Sequence, residues 1–106
     1  MEDELARRAL AAVNQISAMV AYWDRNERCR FANRAYIEWF GRTPEAMLGM
    51  SLRDLLGPLY ELNGPHIRGA LAGRKQVFER AIPVPGGEVR HTIATYSPDI
   101  VGGEVR

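Results

Sequence analysis

Few side chains in this chain of 106 residues could do chemistry, and they are scattered along it: Asp24, Cys29, His66, Arg80 and His91. Cys29 is the only cysteine, which excludes an intramolecular disulfide, a CxxC redox pair and a cysteine-based zinc centre within one chain. A lone thiol of this kind reads as a small core residue and suits a reducing, cytosolic setting. His66 follows Gly64-Pro65, which reads as a helix start, where the positive end of the dipole disfavours protonation and keeps the ring neutral. Asp24 is the one near-candidate for a general base in a small cone-shaped α+β enzyme, but its position ahead of Arg25-Asn26 reads as a turn residue accepting backbone N–H groups.

The constellation with most chemical content is Arg80 with Thr92 and Tyr96. Residues 76–84 and 88–98 are extended runs joined by Pro85-Gly86-Gly87, the composition of a hairpin with a bulged turn. If Val84 pairs with Glu88, antiparallel counting puts Phe78, Arg80 and Ile82 on one face with Thr92, Ala94 and Tyr96. Val77, Ala81, His91 and Ile93 then share the other face, as does Glu79, which therefore cannot pair with Arg80. A buried arginine needs a partner, and its planar fork matches a ligand carboxylate; an internal carboxylate or a backbone carbonyl would also serve, and a one-residue slip of register would put it in solvent.

The elements that must position these residues follow from period and punctuation. Leu5, Ala9, Ala12, Val13 and Ile16 recur at helical spacing behind an acidic start, predicting an amphipathic helix over residues 1–16. Residues 18–24 and 29–32 are extended runs around a turn at Asp24–Asn26, a short hairpin. Asn33 is expected to cap a helix with Tyr36, Ile37 and Phe40 inward and Gly41 as its stop. Thr43-Pro44 opens another helix that Gly49 ends, and Ser51 with Asp54 has capping-box spacing for a further turn before Gly57-Pro58. Gly64-Pro65 is expected to begin the last helix, through Ile67 and Leu71 to Gly73. Asp99–Gly103 reads as a turn, and residues 104–106 as the first residues of another strand. Short helices with a Gly or Pro at each joint wrap around something; they do not form a bundle.

A hydrophobic content of 46% supports one compact core, and 25% charged residues with a net charge of +1 carry no nucleic-acid footprint. The start of the chain lacks the apolar run of a secretory signal, and nothing approaches a membrane span.

The order helix, two strands, several short helices, two long strands and the start of another resembles the PAS family over residues 17–106. The marks are YWD at 22–24, FAN at 31–33, MLGMSLRDLL at 47–56, ALAG at 70–73, FER at 78–80 and the run GGEVRHTIATYSPD. The resemblance implies an α+β fold. Its antiparallel five-stranded sheet has order 2-1-5-4-3, with the last strand truncated or missing here, short helices on one face and the segment 1–16 as a flanking helix. It also implies a sensory or dimerisation module without catalytic residues. Flavin photosensors of the family carry a reactive cysteine after a Leu-Gly step; aligning Leu48-Gly49 with that step puts Leu52 at the reactive position, and Cys29 lies on a strand instead. Haem-binding members use a histidine that would fall near Leu62, one turn before His66. Neither haem nor flavin is therefore expected, and no metal.

The expected ligand-binding set is Trp23, Phe31, Tyr36, Leu52, Ile67, Leu71, Phe78, Arg80, Thr92 and Tyr96, an apolar cage with polar anchors, although aromatics at these spacings also serve as plain core. The resemblance implies a cytoplasmic sensory module of a bacterial signalling protein. It would be covalently linked to a histidine kinase, cyclase or transcriptional regulator, homodimeric through residues 1–16, binding a small organic ligand and neither nucleic acid nor membrane. The alternative is a ligand-free module acting by dimerisation alone.

Overall fold

The computed structural model describes residues 2–105. In chain order they form α1 (Glu2–Val13), β1 (Ala21–Trp23), β2 (Cys29–Ala32), α2 (Ala35–Phe40), α3 (Pro44–Met47), α4 (Leu52–Leu56) and α5 (Leu59–Leu71). Strands β3 (Gln76–Pro83), β4 (Val89–Tyr96), β5 (Ile100–Val101) and β6 (Glu104–Val105) follow.

Alternation of side chains fixes the β3–β4 ladder. Ile82 is buried and Phe78, Arg80, Thr92, Ala94 and Tyr96 are half-buried, while Val77, Glu79, Ala81, His91 and Ile93 are exposed. The pairs Phe78↔Ala94 and Arg80↔Thr92, with the Val84 N–H donating to the Glu88 carbonyl at 2.9 Å, give the register expected from the sequence. A slip of one residue would turn Ile82 into water and Ile93 inward, so burial itself selects the pairing. Gly86 and Gly87 reverse the chain at φ of 99° and 91°, a region costly for side-chain-bearing residues.

The strands form separate antiparallel pairs, β1–β2, β3–β4 and β5–β6. Within the order 2-1-5-4-3 these supply 2-1 and 4-3; among the described residues no strand is hydrogen-bonded between β1 and β4.

Helix punctuation follows local chemistry in two places and departs from it in two. Thr43 Oγ1 accepts from the Ala46 N–H at 3.2 Å and Ser51 Oγ from the Asp54 N–H at 3.1 Å, so both caps form as expected. Asn33 does not cap α2: Arg34 holds the cap position without a side-chain bond, and the Asn33 side chain turns back toward the segment after α1. Helix α5 starts at Leu59, behind Pro58, and carries Pro65 inside it. His66 therefore sits in mid-helix, away from a helix start, and the dipole argument for it lapses.

The core has two parts. Cys29, Ala32, Tyr36, Met47 and Leu55 pack between β2, α2, α3 and α4, whereas Leu52, Leu56 and Ile67 join α4 to α5; Trp23 and Phe40 touch both. Burial of such side chains stabilises by about 1.5–3 kcal/mol each, which holds the short helices that propensity alone would not. On α1, Leu5 and Leu10 are 70% and 44% exposed, so its apolar stripe is left largely in water.

Candidate functional site

Beneath the space between β1 and β4 lies an apolar cavity of about 150 Å³. Trp23 of β1, Leu52 of α4, Ile67 and Leu71 of α5, and Tyr96 at the end of β4 form its walls. The structure thus brings together five of the residues expected to bind a ligand. Their convergence has a local cause: a register shift between Tyr22 and Trp23 re-aims the Trp23 ring, and Leu52 and Ile67 sit on the inward faces of α4 and α5.

The other expected residues lie elsewhere. Tyr36 is core, beside Cys29 and Met47, and Phe31 stands opposite Tyr22 in the β1–β2 ladder; neither lines the cavity. Phe78 is sandwiched, stacked on the His66 ring at 3.9 Å and edge-on to Tyr96 at 5.1 Å. Gln76 Oε1 faces His66 Nδ1 at 3.0 Å while its amide nitrogen donates to the Arg74 carbonyl, so Nδ1 is the protonated nitrogen. Arg80 and Thr92 border an open depression at the β3–β4 edge, shared with Glu79 and His91 from the opposite face, and do not reach the cavity.

Arg80 has its partners within the protein. Its Nε donates to Asn63 Oδ1 at 2.7 Å and an Nη to the Leu62 carbonyl at 3.2 Å; Asn63 Nδ2 in turn donates to the Tyr96 hydroxyl at 3.0 Å. Of the readings open at Arg80, the internal carbonyl is the one realised, here from an amide and a backbone group. Asn63, only 4% exposed, is the residue sequence reasoning missed. It sits on the same helix face as Ile67, and a polar residue in that apolar stripe was a readable sign once α5 was started at Leu59. Burial raises the Tyr96 hydroxyl above its ordinary pKa, opposed by the Asn63 bond and the Arg80 charge. Tyr36 is raised further, by burial first, with a bond from the Trp23 side chain opposing.

The mouth of the cavity is acidic. Asp24 Oδ1 accepts from the N–H groups of Asn26 at 2.9 Å and Arg28 at 3.1 Å, and Oδ2 from Arg30 Nε at 2.8 Å. Those bonds make it the turn residue expected and leave it no role as a base. Desolvation pushes the Asp24 pKa up, but the Arg28 N–H, Arg30 and the Asn26 N–H outweigh it and hold the carboxyl below its ordinary 3.8. A depressed folded-state value contributes stability that is complete above the unfolded pKa and is lost as pH falls through the folded one. The expected result is a denaturation midpoint that falls on acidification below about pH 4, with a shallower fall in Asp24→Asn; urea titrations at several pH values measure it.

Glu27, at φ 62° the one non-glycine residue with positive φ among those described, also lies on the rim. Its N–H donates to the Asp24 carbonyl at 2.8 Å and its own carbonyl accepts from the Leu52 N–H at 2.9 Å, which holds this strained conformation. The Tyr60 hydroxyl donates to its carboxylate, and the Tyr22 hydroxyl donates to Asp99 across the opening.

Cys29 is 1% exposed and burial raises its thiol pKa, so it is the core residue expected from the sequence. Among the described residues no cluster of His, Cys, Asp and Glu could hold a metal ion, and no helix is long and apolar enough to cross a membrane.

Comparison with known proteins identifies the fold. A family model for the PAS fold matches residues 13–106. The chain belongs to the PAS family. The PAS domain from Bordetella pertussis BvgS has a similar structure, with a TM-score of 0.71, 20% identity, and coverage of 96% of this chain and 79% of that one. Synaptotagmin-3 from Mus musculus is 38% identical over 55 residues, a match spanning 52% of this chain and 9% of that protein. PAS domains are in general sensory or interaction modules of signalling proteins and regulatory, not catalytic, which accords with a site whose polar groups are already bonded to one another.

Proposed function

We propose that this PAS domain is the sensory module of a signalling protein and binds a small organic ligand in the cavity framed by Trp23, Leu52, Ile67, Leu71 and Tyr96. The single observation that carries the reading is that partly open, mainly apolar volume, the size of one ring-bearing molecule, in contact with β1, α4, α5 and β4 together. A ligand there touches Tyr96, and through Asn63 and Arg80 its presence bears on how α5 sits against β3. The ligand is neither haem nor flavin; the linked output is a histidine kinase, a cyclase or a transcriptional regulator, and the setting is cytoplasmic.

Mass spectrometry of small molecules released on denaturing the purified protein tests the reading, with Ala70→Trp, which fills the cavity, as the comparison. A stoichiometric compound present in the parent and missing from the variant is expected. Absence of any species, together with a melting temperature unmoved by a small-molecule panel, would sink it; an absorption band between about 350 and 600 nm would overturn the cofactor assignment.

A second reading, an interaction module acting by dimerisation alone, draws on α1, where Leu5 and Leu10 stand in water on an unpartnered stripe. Sedimentation of the parent and of Leu5→Glu/Leu10→Glu separates the two: a dimer lost in the variant, with no ligand found, favours it.

A further inference from the structure

The sign of the charge at the cavity mouth opposes what Arg80 suggested. Every charged residue lining the cavity is acidic: Asp24, Glu27 and Asp99. Asp24 is neutralised by Arg30 at 2.8 Å. Glu27 and Asp99 form no ion pair among the described residues and are held only by the tyrosine hydroxyls of Tyr60 and Tyr22, neutral donors that fix a carboxylate without cancelling its charge. Arg53, the nearby cation, lies over the Tyr60 ring at 4.5 Å and acts on that tyrosine, but makes no salt bridge to Glu27. On the inner face of β3–β4, Arg80 is bound to Asn63 and Leu62 and Arg90 lies over Trp39, and neither lines the cavity.

An anionic ligand would therefore face Glu27 and Asp99, neither ion-paired among the described residues, with no basic side chain lining its site. A cation meets the opposite: Coulomb attraction at a mouth where Glu27 is half-buried and Asp99 exposed, with the aromatic side chains of Trp23 and Tyr96 in the lining. Size sets the other limit, since an apolar cavity of about 150 Å³ takes one benzene-sized group.

The geometry points to a small organic cation as the ligand: a single ring, or a branched aliphatic group of equal size, seated between Trp23, Leu52, Ile67 and Tyr96, with its ammonium at Glu27 and Asp99. This rests on the cavity being a ligand site, the reading given under the proposed function.

Three probes of one shape, benzylamine, benzyl alcohol and benzoate, test the two readings separately by calorimetry on the whole chain. The expected order is benzylamine tightest, by about tenfold over benzyl alcohol, with benzoate weakest. Glu27→Gln, which keeps the size and the bond from Tyr60, weakens benzylamine toward the alcohol's affinity; Asp99→Asn acts in the same direction, and the double variant removes the preference. A parent-like melting temperature shows that the variants fold. If all three probes bind alike, or Glu27→Gln leaves benzylamine unaffected, the cavity stands as a ligand site and the cation assignment falls. If none binds, the ligand site and the assignment fall together.

Discussion

Asn33→Ala is expected to destabilise the domain by about 3 kcal/mol. Asn33 is 0% exposed. Its Oδ1 accepts from the Val20 N–H at 3.0 Å, and its Nδ2 donates to the carbonyls of Val13 at 3.2 Å and Ala18 at 2.9 Å. Truncation removes every hydrogen bond of a fully buried side chain and leaves a hole beneath half-buried and exposed backbone groups that water only partly satisfies, each lost bond costing about 1 kcal/mol. The urea midpoint should drop by about 1–3 M at an m of about 1–3 kcal/mol/M. Asn14→Ala, which removes only an exposed bond from the Arg34 N–H, should cost under about 1 kcal/mol. Hydrogen exchange adds a spatial readout: in Asn33→Ala, protection should vanish first in α1 and residues 14–20, because Asn33 is what ties that segment to β2. A variant as stable as the parent would mean that these bonds are replaced by water at no cost.

The second large effect belongs to Asn63. Asn63→Leu is expected to cost about 2–4 kcal/mol, because it strips Arg80 of its Nε acceptor at 2.7 Å and Tyr96 of its donor at 3.0 Å. Arg80→Met should cost less: it leaves the buried Asn63 Oδ1 without its donor, but the Asn63–Tyr96 bond survives and the Leu62 carbonyl it uncovers lies at an exposed position and can take water. The informative variant is the double one. With both polar partners removed neither Asn63 nor Arg80 leaves the other unpaired, and only the Tyr96 hydroxyl and the exposed Leu62 carbonyl lose a partner, so Asn63→Leu/Arg80→Met should be less destabilised than the sum of the single changes by about 1 kcal/mol or more. Strict additivity would mean that the two side chains do not act on each other across the α5–β3 contact.

How much of this was legible in the chain depends on the range of the forces involved. The β3–β4 register was readable because alternation is a local property, and two glycines mark the turn. The caps at Thr43 and Ser51 were readable for the same reason: donor and acceptor lie three residues apart. Asn33 carried the same local signal and did something else, since its partners lie 13 to 20 residues upstream and only tertiary packing selects them over the nearby helix. The start of α5 was misread because Pro65 looks like a first-turn residue, whereas the helix is held by burial of Asn63 and Ile67 and tolerates the missing N–H. From that error came the loss of Asn63 and the wrong setting for His66. Of the cavity, its apolar walls at Trp23, Leu52, Ile67, Leu71 and Tyr96 were legible as hydrophobic positions on their elements. The acidic rim was not, because Glu27 and Asp99 stand 72 residues apart and meet only in the folded chain.

The separation of the β1–β2 and β3–β4 ladders has a mechanical consequence. Among the described residues no backbone hydrogen bond runs from one hairpin to the other; Tyr22 of β1 reaches Asp99 beyond β4 at one end, and toward the other Arg90 and Pro85 meet Trp39 of α2 and Gly41 at its end. Two ribbons joined in this way are hinged by side chains alone. Their angle can change by rotamer adjustments without melting a rung of either ladder, and whatever occupies the space beneath them works as the spacer that sets how far they stand apart.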